Sequence, residues 1–386
     1  MNQTERGVSS QQEGAPGTPA EPGDHSNIRG AAGALIVHRA WGLVRFLTAL
    51  FLFVGALQLM KTGAASLDIL NSKGLLVRNA GSTLGLGWIG ALFVLSGSPM
   101  AATALTLVEA GSITEVQGFT MLSGSRLGAA FVVLVVAVIY ALRGGAGERK
   151  APVATAVIAL STTALVYVPG ALVGFALLNF GPFHALELHF PGGFSDVIDL
   201  VYGGLLARAE NVPAGVIFLG GLGVLLVSFK LTDTVLPKID KEVEERSKGK
   251  WLSRKWPMFW LGSLVALVTM SVSVALTVLV PLVTKRYARR EDILPYVMGA
   301  NITTLGDTML AAFALNSPAA VRIVLASVIA ASVLSVILLG FFYTPVHRLV
   351  WRFQRQVIQS KSRLAAFTAA LFLVPITVIA VSGLLG

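Results

Sequence analysis

The chain has 386 residues, of which 54% are hydrophobic and only 13% charged, with a mean hydropathy of +0.75. A soluble domain carries roughly 25% charged residues, so most of this chain faces something other than water. The net charge of +10 sits in short basic runs between apolar segments, as in cytoplasmic membrane loops, which sets a nucleic-acid partner aside. With no cysteine, disulfides, thiolate metal sites and cysteine nucleophiles are excluded.

Residues 1–32 are rich in Gly, Pro, Ser, Gln and Glu and lack an apolar run, so residues 1–40 are expected to be a disordered cytoplasmic tail. No signal-peptide pattern precedes the first apolar stretch. A spanning helix needs about 20 mostly apolar residues. Candidates follow at 43–61, 84–108, 117–142, 152–180, 213–232, 257–283, 294–315, 319–343 and 364–384. The mixed stretches 62–82 and 233–255 read as interfacial. In 344–363, Arg348, Arg352 and Arg355 alternate with Val350, Trp351 and Phe353, which suits an amphipathic helix at the lipid headgroups.

Charge sets the expected topology. The loops 143–150, 233–255, 285–292 and 344–363 are basic and expected inside; 181–212, with Glu187, Asp196, Asp199 and Glu210, is expected outside. Full crossings everywhere would put 233–255 and 285–292 on opposite sides. The conflict disappears if 257–283 is a re-entrant hairpin from the cytoplasmic side and 84–108 one from outside. Basic residues in 62–82 (Lys73 and Arg78, with Lys61 beside them) run against the scheme.

An internal repeat accompanies this topology. At a spacing of 175 residues, Leu86 and Gly87 fall on Leu261 and Gly262, Ser96 and Ser98 on Ser271 and Ser273, and Gly124 on Gly299. The expected fold is an all-α polytopic membrane protein with two inverted-topology repeats, each holding a re-entrant helical hairpin and a broken transmembrane helix. Repeat one is 41–180, repeat two 213–343, with 181–212 the external loop and 364–386 the last spanning helix.

Each hairpin carries Ser-x-Ser near its middle: Ser96-Gly97-Ser98-Pro99 and Ser271-Val272-Ser273. Gly97 and Pro99 break a helix, freeing backbone groups that a bilayer tolerates only where protein buries them or a watery cavity receives them. Hydroxyls and helix N-termini favour an oxyanion; freed carbonyls suit a small cation. The same serines could merely allow close helix packing. A second Gly-led break follows in each copy: Gly124-Ser125-Arg126-Leu127-Gly128-Ala129, and Gly299-Ala300-Asn301-Ile302-Thr303-Thr304.

At these motifs the chain resembles the type II sodium–phosphate cotransporter family, whose repeats each carry Gln-Ser-Ser-Ser followed by Gly-Ala/Ser-Asn-Ile-Gly-Thr-Thr. Leu50–Gly63 and Ala104–Thr114 are also similar to family segments, so the resemblance spans roughly residues 45–340. Here Leu95 and Met270 stand in place of the family's Gln, Gly97 and Val272 in place of the central Ser, and Arg126 in place of the first Asn. The resemblance implies phosphate and sodium binding by Ser96, Ser98, Ser271, Ser273, Asn301 and Thr304, with Gly97 between the first pair.

Arg126 is a guanidinium near the expected midplane, where a charge needs a partner and usually has a function. It either contacts the anion, replaces a cation, or pairs with Asp307, the one acidic residue within 294–315. Asp307 in turn binds sodium with Asn301 and Thr303, carries a proton, or neutralises Arg126. His184, Glu187 and His189 do not match a helical metal pair, so no metal is expected beyond transported sodium.

The function expected is sodium-coupled symport of inorganic phosphate by alternating access in the plasma membrane. The N-terminus would be cytoplasmic, with no cofactor, sodium as co-substrate, the lipid bilayer as surroundings and an oligomer left open. The alternatives are a proton-coupled or sodium-independent transporter or exporter of another anion, or a homologue that binds phosphate without moving it. A membrane enzyme is not expected, since no His/Asp/Glu constellation falls in the site.

Overall fold

A computed structural model describes residues 25–65, 77–143, 150–180, 193–209, 211–235, 254–284 and 288–385, with the backbone alone at 25–40, 193–195, 199, 235 and 385. Every regular element among them is helical. Contacts divide the chain into Met1–Val44 and Arg45–Gly386, and the site lies wholly in the second unit. Among the described residues, six helices are long and apolar enough to cross a bilayer: Trp41–Ala65, Glu115–Arg143, Lys150–Phe180, Ala214–Thr234, Pro318–Gly340 and Lys361–Leu384. In the last, only 6% of the apolar window is buried, and Leu172, Leu219, Trp260 and Leu384 stand on outer surfaces. So much exposed apolar area suits surroundings of hydrocarbon.

In chain order the helices are α1 (His25–Ala65), α2 (Ala80–Val94), α3 (Ser98–Glu109), α4 (Glu115–Ala129), α5 (Phe131–Arg143), α6 (Lys150–Phe180), α7 (Gly193–Ala209) and α8 (Ala214–Val235). There follow α9 (Lys255–Thr269), α10 (Val272–Thr277), α11 (Leu279–Thr284), α12 (Ile293–Thr303), α13 (Leu305–Ala314), α14 (Pro318–Gly340), α15 (Tyr343–Ile358) and α16 (Lys361–Leu385). The tail expected to be disordered to residue 40 is corrected in part. Residues 1–24 lie outside the described residues, but 25–40 are helical; there Ala and Leu replace the Pro and Gln of the preceding stretch, and helix propensity prevails. The expected loop 181–212 contains α7; its first residues, with His184, Glu187 and His189, lie outside the described residues, as do 66–76, 144–149, 236–253 and 285–287.

Three candidate spans are missing from the six because they divide, while 117–142, which also turns at Ala130 between α4 and α5, keeps its length as one span. The stretch 84–108 divides into α2 and α3, 257–283 into α9, α10 and α11, and 294–315 into α12 and α13. Asn79 caps α2, its Oδ1 accepting from Ser82 N at 3.0 Å. That helix ends at Leu95, which is left-handed at φ 56°, and α9 ends at Met270, left-handed at φ 45°. Neither is glycine, so each conformation costs roughly 1–2 kcal/mol that surrounding packing must offset.

Pairs of glycines hold each half together. A Cβ on Gly87 would lie 2.0 Å from the Met121 carbonyl oxygen, and one on Gly124 2.0 Å from that of Leu84, so α2 and α4 meet backbone to backbone. The same contacts recur between α9 and α12, where a Cβ on Gly262 would lie 2.1 Å from Tyr296 O and one on Gly299 2.0 Å from Phe259 O. All four positions are 175 residues from their counterparts. A third contact diverges: Gly128 approaches Trp88 O, whereas at the corresponding place Thr303 Oγ1 donates to Ser263 O at 2.7 Å. Between the halves runs α6, packed against α4, α5, α11, α12, α14 and α15.

Chain ends gather in two groups. Lys61 pairs with Glu109 at 2.8 Å, Arg322 pairs with Glu115, Ser112 Oγ donates to Ala64 O, Gln117 Nε2 to Val77 O and Arg78 Nη1 to Gly383 O. Glu109 thus offsets Lys61, one of the basic residues that ran against the expected topology. A separate group joins Lys255 Nζ to Leu339 O at 2.8 Å and the Tyr343 hydroxyl to Glu291 O at 3.3 Å. Hence α2 begins and α3 ends among the first group, while α9 begins near the second.

Gly87→Ala or Gly262→Ala is expected to force a helix pair apart and cost about 3 kcal/mol or more. Gly220→Ala and Gly223→Ala, which meet nothing within 4 Å, are expected to change stability by no more than about 1 kcal/mol, toward greater stability. Thermal midpoints of the four purified variants in one detergent check the contrast.

Candidate functional site

The two breaks meet. Ser273 Oγ, at the start of α10, donates to the Leu95 carbonyl at 2.8 Å, a group that the end of α2 leaves without a helical partner. Ser271 caps the same short helix, its Oγ accepting from Val274 N at 3.3 Å. Gly97 packs on the α4 turn that bears Arg126: a Cβ there would lie 3.0 Å from both Ser125 O and Ala129 Cβ. Ser98 opens α3 and is buried, and Ser96 is half-buried. Pro99 stands in the first turn of α3, where a missing N–H costs nothing.

Beside the breaks lies the most buried charge in the described chain. Arg126 is 1% exposed and Asp307 5%. Their closest atoms, Nη2 and Oδ1, are 3.5 Å apart. Thr308 bridges them, accepting from Arg126 Nη2 and donating to Asp307 Oδ1 at 2.8 Å. Arg126 Nε and Nη1 and Asp307 Oδ2 are buried with no hydrogen-bond partner among the described residues. Buried guanidinium donors are strongly disfavoured unless paired, so this arrangement leaves three N–H groups able to receive acceptor oxygens and one carboxylate oxygen able to receive a cation or proton.

Asp307 also lines a cavity of about 60 Å³ with Asp233, Thr232, Thr269 and the backbone break at Met270. That is room for roughly two waters, or a small cation with one water. A larger groove of about 470 Å³, bounded by Trp88, Leu160, Val168, Phe353 and Leu371, is almost wholly apolar and contains none of the candidate ligand-binding residues read from the sequence. Size alone would favour it; chemistry favours the smaller one.

A third cluster surrounds the break between α12 and α13. Asn301 Nδ2 donates to Thr163 Oγ1 at 3.2 Å, and the Asn301 carbonyl accepts from the Tyr167 hydroxyl at 2.7 Å and from Thr304 Oγ1 at 3.3 Å. Tyr167 lies within electrostatic reach of both Arg126 and Asp307. The hydroxyl of Thr303 goes instead to Ser263 O, on the helix contact described above. Of the sequence-derived residues, then, Arg126 and Asp307 form one pair, Gly97 and Ser273 tie the breaks to it, Asn301 and Thr304 sit around the next break, and Thr303 serves packing.

Sequence reasoning missed Thr308, Thr163, Tyr167 and Asp233. Thr163 and Tyr167 had a readable signal, since they lie four residues apart, on one face of the mostly apolar α6. Asp233 had none, because only the fold places it beside Asp307; Thr308 follows Asp307 in the chain and is distinguished only by the bond that the fold lets it make with Arg126.

Comparison with protein-family models, with curated proteins and with solved structures finds no match. The class rests on the fold alone: an all-α protein with six helices able to span a bilayer and a buried, incompletely satisfied ion pair among broken helices.

Breaking a buried pair by removing one partner costs about 3–5 kcal/mol, because the other charge is left uncompensated. Arg126→Gln and Asp307→Asn are each expected to destabilise by that order, and the double variant by less than their sum. A double-mutant cycle on unfolding in detergent is expected to yield a coupling of about 1–3 kcal/mol; additive losses would show that the pair is not coupled.

Proposed function

We propose that this chain is a secondary active transporter, a sodium-coupled symporter of inorganic phosphate working by alternating access. The observation that carries the reading is the buried Arg126 guanidinium, held through Nη2 alone, with Nε and Nη1 unpartnered. A planar fork with free donors is suited to two oxygens of one phosphate. Ser96 and Ser98, whose hydroxyls have no protein partner among the described residues, stand at the break packed on the Arg126 turn and would complete the anion shell.

Sodium would bind at Asp307 Oδ2 toward the small cavity, with Asn301 nearby. An anion drawing Arg126 away from Asp307 frees negative charge there, so each ligand favours the other, which is the linkage a symporter needs. Thr303 contributes through packing, since its hydroxyl is committed to Ser263.

The architecture proposed is two inverted repeats, with 84–108 and 257–283 as re-entrant hairpins. Support comes from the break at Leu95 and its counterpart 175 residues on at Met270, and from glycine contacts recurring at the same spacing. The separate gathering of chain ends supports hairpin feet on opposite sides, with Lys61, Glu109 and Glu115 outside and Lys255 and Glu291 inside.

One observation favours a second reading. Asp307 already neutralises Arg126, so protonation of Asp307 could release the guanidinium for an anion with no sodium involved.

Uptake of radiolabelled phosphate into proteoliposomes, under an inward sodium gradient, an inward proton gradient or neither, separates the readings. Uptake with sodium alone is expected, falling at least about a hundredfold in Arg126→Asn, as when a buried charge contact of roughly 3 kcal/mol is lost. Uptake with protons alone supports the second reading. Absence of uptake under every gradient from folded protein would contradict phosphate transport, and phosphate binding without flux would identify a non-transporting homologue.

A further inference from the structure

Along α15 the rings of Tyr343, His347 and Trp351 succeed one another at i, i+4 spacing, with centroids 5.7 and 5.5 Å apart. The Arg355 guanidinium continues the ladder, 5.6 Å from the Trp351 ring. Arg348 and Arg352 form the adjoining ridge, and with His347, Trp351, Arg355 and Glu291 they line a cavity of about 300 Å³. None of the three arginines makes an ion pair among the described residues. One carboxylate against three guanidinium groups leaves a positive surplus. Burial lowers the His347 pKa, with Glu291 opposing, so the surplus at neutral pH comes from the arginines.

Two ring nitrogens lack partners as well. His347 Nε2 and Trp351 Nε1 are shut off from solvent and make no hydrogen bond among the described residues. An indole N–H can be satisfied only by an acceptor, and the Arg355 guanidinium beside the ring offers none. Several guanidinium donors, an indole N–H and an imidazole converging on one cavity match the acceptor oxygens of a phosphate group.

The helix is also placed to meet lipid. Val346, Val350 and Val357 bury its inner ridge, which fixes the arginines on the protein surface. Leu349, 59% exposed, and Phe353, 40% exposed, flank the arginines with apolar surface. Trp256 and Trp260 are exposed on α9, whose Lys255 Nζ lies 5.6 Å from the Tyr343 ring. Exposed Trp beside Lys and Arg is the composition of a membrane–water boundary.

We propose that this pocket is a headgroup site for an anionic phospholipid, its phosphate held by Arg348, Arg352 and Arg355 with the Trp351 and His347 ring nitrogens. The site stands apart from Arg126 and Asp307 and needs no transport activity.

Native mass spectrometry of the full chain, titrated with phosphatidylglycerol or phosphatidylcholine, tests it. Phosphatidylglycerol is expected to be retained at least about tenfold better, because its net negative charge is not offset within the headgroup. The preference should vanish in Arg348→Gln/Arg352→Gln/Arg355→Gln and weaken in Trp351→Phe. Excess inorganic phosphate should leave it in place. Should the triple variant not fold, judged by its thermal midpoint, Arg352→Gln alone is expected to reduce the preference several-fold. Equal retention by wild type and variants overturns the proposal. Displacement of the lipid by inorganic phosphate at equal concentration also overturns it, in favour of a soluble phosphate.

Discussion

A backbone N–H or C=O in hydrocarbon must find its partner within the protein, and that requirement governs this fold. Long helices meet most of it alone, and six among the described residues are long enough to cover a bilayer's width. The helices that stop at Leu95, Met270 and Thr304 do not, and each is met by polar side chains, some local and some from distant segments. Ser273 serves the Leu95 carbonyl, and Ser271 caps the helix after Met270. Tyr167 and Thr304 serve the Asn301 carbonyl. The glycine contacts between α2 and α4 and between α9 and α12 bring the broken segments close enough for these bonds to form.

The charged pair follows from the same constraint. Breaks in the chain create the polar interior in which Arg126 and Asp307 can remain buried, and Thr308 shares the cost of holding them. The pair is not saturated: two guanidinium nitrogens and one carboxylate oxygen lack partners among the described residues. A purely structural ion pair is stable when its remaining donors and acceptors are satisfied. That difference is the physical ground for reading the pair as part of a ligand site. Strain points the same way, since two hydrophobic residues in left-handed geometry border it.

Much of this was legible in the sequence. The apolar lengths marked the helices long enough to span a bilayer, and the alternation of arginine with aromatic and aliphatic residues marked α15. The Ser-x-Ser repeat located both breaks, since Gly97 and Pro99 cannot continue a helix and Ser271 is a natural cap. Arg126 and Asp307 suggested each other because they were lone charges in apolar surroundings. The left-handed turns were not legible, because Leu95 and Met270 have no intrinsic preference for them; tertiary packing imposes the conformation. Nor were the Ser273–Leu95 bond, the bridge through Thr308 or the position of Asp233, which depend on segments far apart in the chain. The helix at 25–40 was missed because one composition was extended over two unlike stretches.

The central claim is that the two halves enter the membrane from opposite sides and bring their breaks together beside Arg126. A chain without cysteine permits a direct test by single substitutions at the hairpin feet, Glu109→Cys and Glu291→Cys. With an impermeant thiol reagent on intact cells, the account predicts labelling at position 109 and none at 291 until the membrane is opened. Equal labelling of both from one side would contradict the inverted architecture, and with it the site as described.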